Sequence, residues 1–172
     1  MTNHNEVPIW KQEAGWLAKI ASRLANDGFS MGDYAVLRRM NPQTPSSHAE
    51  IAAERLLASA GAEPTGEADR QRWLLIIHCL ALTRGQHSHR ASTGSVLAQV
   101  QYSEERINRL LSSDFEVIAN VLPRLARFLG AKGVVIDWLP LARIARWTGR
   151  AESRADQSRN RVAREYARAT AN

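Results

Sequence analysis

The sequence predicts an all-α protein of two small helical lobes, with about eight or nine helices and no sheet. Good helix formers, above all Ala, Leu, Arg and Glu, dominate its 172 residues. No stretch alternates apolar and polar residues for long enough to indicate a strand. Helix-capping side chains and helix-ending glycines recur along the chain instead.

The N-terminal lobe is predicted to span residues 1–86 and to hold four helices. In order, these helices begin at Pro8, Ser30, the capping box Ser47–Glu50 and Glu67, and they end at Asp27-Gly28, Asn41-Pro42, Gly61 and Gly85. The fourth helix is apolar on nearly every side from Trp73 to Ala81. We therefore expect it to be the central helix of the core.

A polar loop at residues 87–93 is predicted to connect this lobe to an Arg-rich helical lobe at residues 94–172. The helices predicted there are 95–101, 103–111, 114–128 with its end at Gly130, 138–149 and 152–169. Ser113–Glu116 forms a second capping box, and Asp137 can cap the helix that follows it. The last helix has only a thin apolar stripe, so it needs a surface to pack against.

Several classes of protein are excluded by composition. The single cysteine, Cys79, rules out an internal disulfide framework and a cysteine-based zinc site. The longest nearly apolar run, Trp73 to Leu82, is too short to cross a bilayer. No secretion signal is recognisable at the N-terminus, so we expect a cytoplasmic protein without a membrane partner.

The net positive charge arises from the second half of the chain. Residues 1–86 contain equal numbers of basic and acidic side chains, so the net charge of +6 arises entirely from residues 87–172. Nearly all of the basic residues are arginines, whose planar guanidinium groups can bind a phosphate through two parallel hydrogen bonds. This distribution favours a polyanionic partner, although a GC-rich genome would also raise the arginine content.

The sequence offers little support for catalysis. It contains no phosphate-binding glycine loop, no nucleophile elbow and no HExxH motif. The pair His87 and His89 is a weak metal-binding pattern, and the acidic pairs Glu104-Glu105 and Asp114 with Glu116 are explained by helix capping. We therefore predict no catalytic residue, no metal site and no cofactor.

Arginine spacing is the positive functional signal. Side chains three or four residues apart share one face of a helix, at about 5–6 Å from one another. Such a row can bind a sugar–phosphate backbone without reading its sequence. The candidate nucleic-acid-binding residues are Arg38, Arg39, Arg106, Arg109, Arg124, Arg127, Arg143, Arg146 and Arg150. The alternative is a solvated helix face with Arg–Glu pairs, which is favoured at 154–168 because acidic residues interleave there.

Several segments resemble one protein family. They are 32–39 (GDYAVLRR), 73–82, 94–111 and, most distinctively, 135–144 (VIDWLPLARI), which is followed by Trp147 and Gly149-Arg150. In this order and at this chain length, they resemble the CasB family, the small subunit of the type I-E CRISPR Cascade complex. The resembling segments together span about two-thirds of the chain.

The resemblance implies a two-lobed helical subunit without catalytic activity, present as two copies beside other Cascade subunits and a guide RNA. It also implies a basic path for the displaced single DNA strand, which stabilises the R-loop. Arg39, Arg106, Arg124 and Arg150 match basic positions of the family, whereas the other five candidates come from spacing alone. Phe115, Glu116 and Pro123 depart from the family pattern, so contacts along that helix are expected to be sparser.

Two other functions remain open at this point. The helices 138–149 and 152–169 could form a helix-turn-helix of a free-standing DNA-binding regulator. The basic face could also bind an acidic protein as a scaffold. The five tryptophans could stack on bases, but their places on apolar stripes favour core packing.

Overall fold

Nine helices are present in the structure, a computed structural model that describes residues 8–171 apart from the side chain of Trp10. They are α1 (Ile9–Ala25), α2 (Met31–Arg39), α3 (Ser47–Ala60), α4 (Glu67–Leu82), α5 (Thr93–Gln99), α6 (Glu104–Ser112), α7 (Phe115–Lys132), α8 (Leu139–Trp147) and α9 (Glu152–Thr170). Within this range there is no sheet, only an isolated bridge between His87 and Ile136. The predicted all-α class is confirmed.

Helix α4 lies at the centre of the molecule, as its composition predicts. Every residue from Trp73 to Ala81 is buried, and the helix packs against α1, α2, α7 and α8. A helix that is apolar on all sides can bury its surface only when other helices surround it. The buried apolar residues form one cluster through both halves of the chain. The division into two lobes joined by residues 87–93 stays a prediction.

Two of the predicted helix starts have the expected cap, and others are displaced by one residue. The side chains of Ser30 and Ser103 each accept a backbone N–H from the first turn of their helix. Helix α7 is capped by Asp114, which accepts the N–H of Val117, and not by Ser113, the first residue of the predicted capping box. Helix α3 is capped by Ser46 rather than Ser47, because the Ser46 hydroxyl accepts the N–H of Ala49. The capping box predicted at Ser47–Glu50 is not formed, because the Glu50 side chain accepts a hydrogen bond from Arg70 on α4 instead.

Helix α7 is longer than predicted because Gly130 does not end it. The helix continues to Lys132, and Gly130 lies where α7 meets the end of α4. A Cβ atom at position 130 would come within 2.5 Å of the Leu82 carbonyl oxygen. Gly130 therefore permits close packing of two helices and does not act as a stop signal.

Helices α8 and α9 complete the C-terminal half. The N-cap position of α8 is Trp138 and not Asp137 as predicted, because the helix begins one residue later, at Leu139. Asp137 precedes the cap and accepts the N–H of Leu139 at 3.0 Å. The thin apolar stripe of α9, which includes Ala155 and Val162, is buried, and the helix packs mainly against α5 and α8. None of the helices described is long and apolar enough to span a membrane.

The described tryptophans pack into the protein as expected. Trp73 and Trp138 are fully buried, Trp147 is nearly so, and Trp16 is partly buried against the Trp73 ring. The side chain of Trp10, the fifth tryptophan, lies outside the described residues.

Candidate nucleic-acid interface

Helix α7 presents two of the predicted arginines to solvent. Its buried residues are Ile118, Leu122, Pro123, Leu125, Ala126 and Leu129. This periodicity leaves Arg124 and Arg127 exposed on the opposite side, three residues apart. Neighbouring helices then form a cleft on each side of this pair.

The first cleft, the α6–α7 cleft, has a volume of about 270 Å³ and brings together three predicted residues. Arg106 and Arg109 reach it from α6, and Arg124 reaches it from α7. All three are exposed, whereas the remaining lining is apolar or aromatic and more deeply buried. That lining consists of Tyr102, Val121 and Phe128.

The second cleft, the α4–α7 cleft, has a volume of about 300 Å³ and lies where α2, α7 and the end of α4 meet. Arg38 and Arg127, both predicted, line it together with Arg84. Sequence reasoning missed Arg84 because it stands alone between a helix end and Gly85, with no second arginine at helical spacing.

The arginines of the two clefts are free of acidic partners. We refer to Arg38, Arg84, Arg106, Arg109, Arg124 and Arg127 as the α7 basic surface. All six are exposed, and none forms an ion pair with the described residues. No carboxylate lines either cleft. Their charge is therefore available to an external anion. Arg39 is also exposed on α2, but it lines neither cleft.

Arg146, by contrast, is buried in an ion-pair network. Its side chain is 1% exposed and binds Asp69 through two hydrogen bonds of 2.8 Å. It also donates to Glu13 at 3.2 Å, and Glu13 accepts the indole N–H of Trp147. With its donors engaged inside the protein, Arg146 cannot reach a nucleic-acid backbone in this conformation, so we remove it from the candidate interface.

Arg143 and Arg150 belong to the same network. Arg143 donates to Glu13 at 3.1 Å, and Arg150 donates to Asp69 at 2.7 Å. Burial favours the neutral form of Asp69, but hydrogen bonds and charge from Arg146, the Thr65 N–H and Arg150 outweigh it and lower the pKa of Asp69 to about 2. The predicted row 143–146–150 is thus a structural element that joins α8 to α1 and α4.

A third basic region lies between α1, α8 and α9. This groove, of about 630 Å³, is lined by Arg143, Arg154, Arg161 and Arg164 among other residues. Arg161 is neutralised by Glu165 at 2.8 Å, as the interleaved acidic residues of α9 predict. The groove also contains the carboxylate-bearing Glu13, so its charge is less uniform than that of the α7 basic surface.

The pair His87 and His89 lies beside Asp137, which the sequence did not connect to it. The three residues place ligand-type atoms within 4.8 Å of one another. Within the cluster, His87 Nδ1 accepts the Trp138 N–H, and Asp137 accepts from Leu139 and Arg161. The ring of His89 is exposed, with Nδ1 3.5 Å from an Asp137 oxygen. These bonds fix the loop that enters α8.

Comparison with models of known protein families gives a match over most of the chain. Residues 33–167, from α2 into α9, match the model of the family described as CRISPR-associated protein Cse2 (CRISPR_cse2). The matched range contains all six arginines of the α7 basic surface. No curated protein and no solved structure matches the chain.

Proposed function

The chain belongs to the Cse2 family of CRISPR-associated proteins, also called CasB, and is a CRISPR Cascade subunit. From this premise we propose that it binds the DNA strand that the guide RNA displaces. In this proposal it is a non-catalytic, cytoplasmic subunit of a type I-E complex that acts in antiviral defence. Its α7 basic surface binds the sugar–phosphate backbone of the non-target strand without reading its sequence, and so stabilises the R-loop.

The single observation that supports this proposal is the grouping of six exposed arginines without acidic partners along α7. Helices hold the backbone of five of the six arginines at fixed separations, and each guanidinium can bind a phosphate through two parallel hydrogen bonds. Backbone contacts of this kind position a strand but do not specify its sequence.

A modest interaction is sufficient for the proposed role. In an R-loop, the RNA–DNA duplex that forms is about as stable as the DNA duplex that it replaces. Contacts with the displaced strand therefore shift a nearly balanced equilibrium. The partners in this proposal are the displaced single-stranded DNA, other Cascade subunits with their guide RNA, and a second copy of the chain.

The alternative of a helix-turn-helix regulator has one supporting observation. Helices α8 and α9 are separated by only four residues, 148–151. In that alternative α9 would enter the major groove, and the protein would protect a defined duplex site. The scaffold alternative predicts binding to an acidic protein and no binding to DNA.

The proposed function is tested by reversing charge on α7 in the reconstituted complex. We expect the double variant Arg124→Glu, Arg127→Glu to weaken R-loop formation at least about tenfold, because two charge-assisted contacts are lost and two repulsions are added. R-loop formation is measured by permanganate reactivity of the displaced strand at increasing complex concentration.

The matched control is Lys19→Glu, Arg23→Glu on α1, which changes the net charge equally on a different helix. This control variant should form the R-loop as the wild type does, and both variants should keep the wild-type melting temperature. Equal R-loop formation by the α7 variant and the wild type would refute the proposed strand contact. Protection of one duplex site by the chain alone would favour the regulator.

A further inference from the structure

The α6–α7 cleft contains more than is needed to hold phosphates. Its exposed edge carries Arg106, Arg109 and Arg124, but its interior is formed by Tyr102, Val121 and Phe128. Phosphate recognition requires charge and hydrogen-bond donors, and does not itself need an aromatic interior. The Tyr102 ring also lies 5.8 Å from the Arg106 guanidinium, so it supports one of the phosphate-binding groups. A planar aromatic ligand with a phosphate on each side would use both parts of the cleft.

The aromatic residues are arranged to contact such a ligand. The rings of Tyr102 and Phe128 lie 5.7 Å apart at 51°, so they form an angled apolar wall and not a closed stack. Phe128 is only partly buried, and the ammonium group of Lys132 lies 5.1 Å from the ring centroid. Stacking on aromatic side chains beside cationic groups is the usual way in which single strands are held without sequence preference.

Tyr102 also carries a polar group that lacks a partner. The residue is 5% exposed, and its hydroxyl forms no hydrogen bond with any other described residue, although its backbone carbonyl accepts from Tyr166. Burial raises the pKa of this hydroxyl, while the nearby charges of Arg106 and Arg109 oppose the rise. Solvent reaches this hydroxyl oxygen although the residue as a whole is buried, so the group is available to the edge of a bound base.

The size of the cleft limits the ligand. Its volume of about 270 Å³ lies just below the roughly 300–1,000 Å³ typical of pockets for drug-sized molecules. One small ring system suits such a space, whereas a base-paired duplex does not. We propose that the α6–α7 cleft receives one unstacked base of single-stranded DNA, which packs on Phe128 and Tyr102 while the arginines bind the flanking phosphates.

This inference rests on the proposed function and is tested with the full chain. Fluorescence anisotropy at low ionic strength compares a labelled single-stranded oligonucleotide with one of equal length in which abasic sites replace the bases. We expect the intact strand to bind about fivefold more tightly or better, because stacking is lost in the abasic strand. Equal affinities for the two strands would overturn the inference.

Substitution of Phe128 locates the effect. Phe128→Leu keeps an apolar side chain and all the charges, so it should weaken binding of the intact strand about fivefold and leave binding of the abasic strand unchanged. The matched control is Phe29→Leu. Phe29 lines a different cavity, between α1, α2 and α3, which contains arginines but also the carboxylate of Asp33. This control should bind both strands as the wild type does.

A second variant guards against loss of folding. Tyr102→Phe removes only the hydroxyl, and should weaken binding of the intact strand roughly 2- to 10-fold without affecting the abasic strand. If the Phe128 and Tyr102 variants weaken binding of both strands equally, the base pocket is refuted. The proposed function is refuted by a different result: the double variant Arg124→Glu, Arg127→Glu would bind the intact and abasic strands as tightly as the wild type does.

Discussion

Arg146 and Arg124 have the same side chain and lie in the same half of the molecule, but their surroundings differ. One stabilises the fold, and the other is available to an external anion. Arg146 is held by Asp69 and Glu13 in the interior, whereas Arg124 is exposed without an acidic partner. Removing one partner of a buried ion pair leaves uncompensated charge, which costs far more than the pair itself contributes. An exposed arginine of a cleft contributes little to folding.

We therefore predict that Arg146→Ala lowers the free energy of unfolding by about 3–5 kcal/mol, because two buried carboxylates lose the buried guanidinium that they share. Each carboxylate keeps one partly exposed cationic partner, Arg143 or Arg150. Arg124→Ala should change it by less than about 0.5 kcal/mol. Urea denaturation followed by circular dichroism measures both values. A loss below about 1 kcal/mol for Arg146→Ala would mean that the network is not an important source of stability.

The sequence identified these arginines but not their partners. Helical spacing alone places Arg124 and Arg127 on one face, and the structure agrees. The same spacing also places 143, 146 and 150 in one row, but the acidic partners of this row are distant along the chain. The neutralising residues Glu13 and Asp69 lie 133 and 77 positions from Arg146, and local spacing contains no information on contacts over such distances.

At the scale of elements, the attachment of α9 depends on a close approach to α5. Gly94 donates its N–H to Glu165 at 3.0 Å, and a Cβ atom at position 94 would come within 2.3 Å of the Val162 carbonyl oxygen. The atoms that a Cβ at position 94 would meet belong to the α9 backbone or to a Cβ attached to it. A side chain at this position could therefore be accommodated only by moving one of the two helices. The fit of α9 therefore depends on the absence of a side chain at this position.

We predict that Gly94→Ala destabilises the protein by about 1–3 kcal/mol through overpacking, and exposes the backbone of α9 first. Gly15→Ala is the matched control, because Gly15 lies within α1 with no atom close to a new Cβ. The control should stabilise the protein by up to about 1 kcal/mol through helix propensity. Hydrogen exchange and thermal melting measure both effects; unchanged protection of α9 in Gly94→Ala would contradict this account.

Patterns within single helices were sufficient to predict most elements, and contacts between helices explain the errors. The apolar composition of 73–81 identified α4 as central because a fully apolar helix has only one stable environment. Gly130 was misassigned as a helix end, since its tight contact with Leu82 of α4 is visible only in three dimensions. Ser46 and Ser47 are chemically equivalent caps, so local sequence does not decide between them.

For the whole molecule, the question is whether net charge or local geometry attracts DNA. The chain has a formal net charge of +6, and a diffuse field of this sign would attract any polyanion. Several arginines are neutralised internally, by Glu13 and Asp69 among others, whereas the α7 basic surface is not. The two explanations differ in how binding responds to salt and to the position of a substitution.

Salt dependence distinguishes the two explanations, because each phosphate neutralised on a single strand contributes about −0.7 to the slope of log affinity against log salt concentration. If all six arginines of the α7 basic surface bind phosphates, the slope for single-stranded DNA should be about −4, and about −3 for Arg124→Glu, Arg127→Glu. Anisotropy titrations over a series of salt concentrations measure these slopes. Lys19→Glu, Arg23→Glu removes as much net charge but no proposed contact, so its slope should equal that of the wild type. Equal reductions in both variants would show that attraction follows the net charge of the chain, and that the clefts beside α7 do not form a binding path.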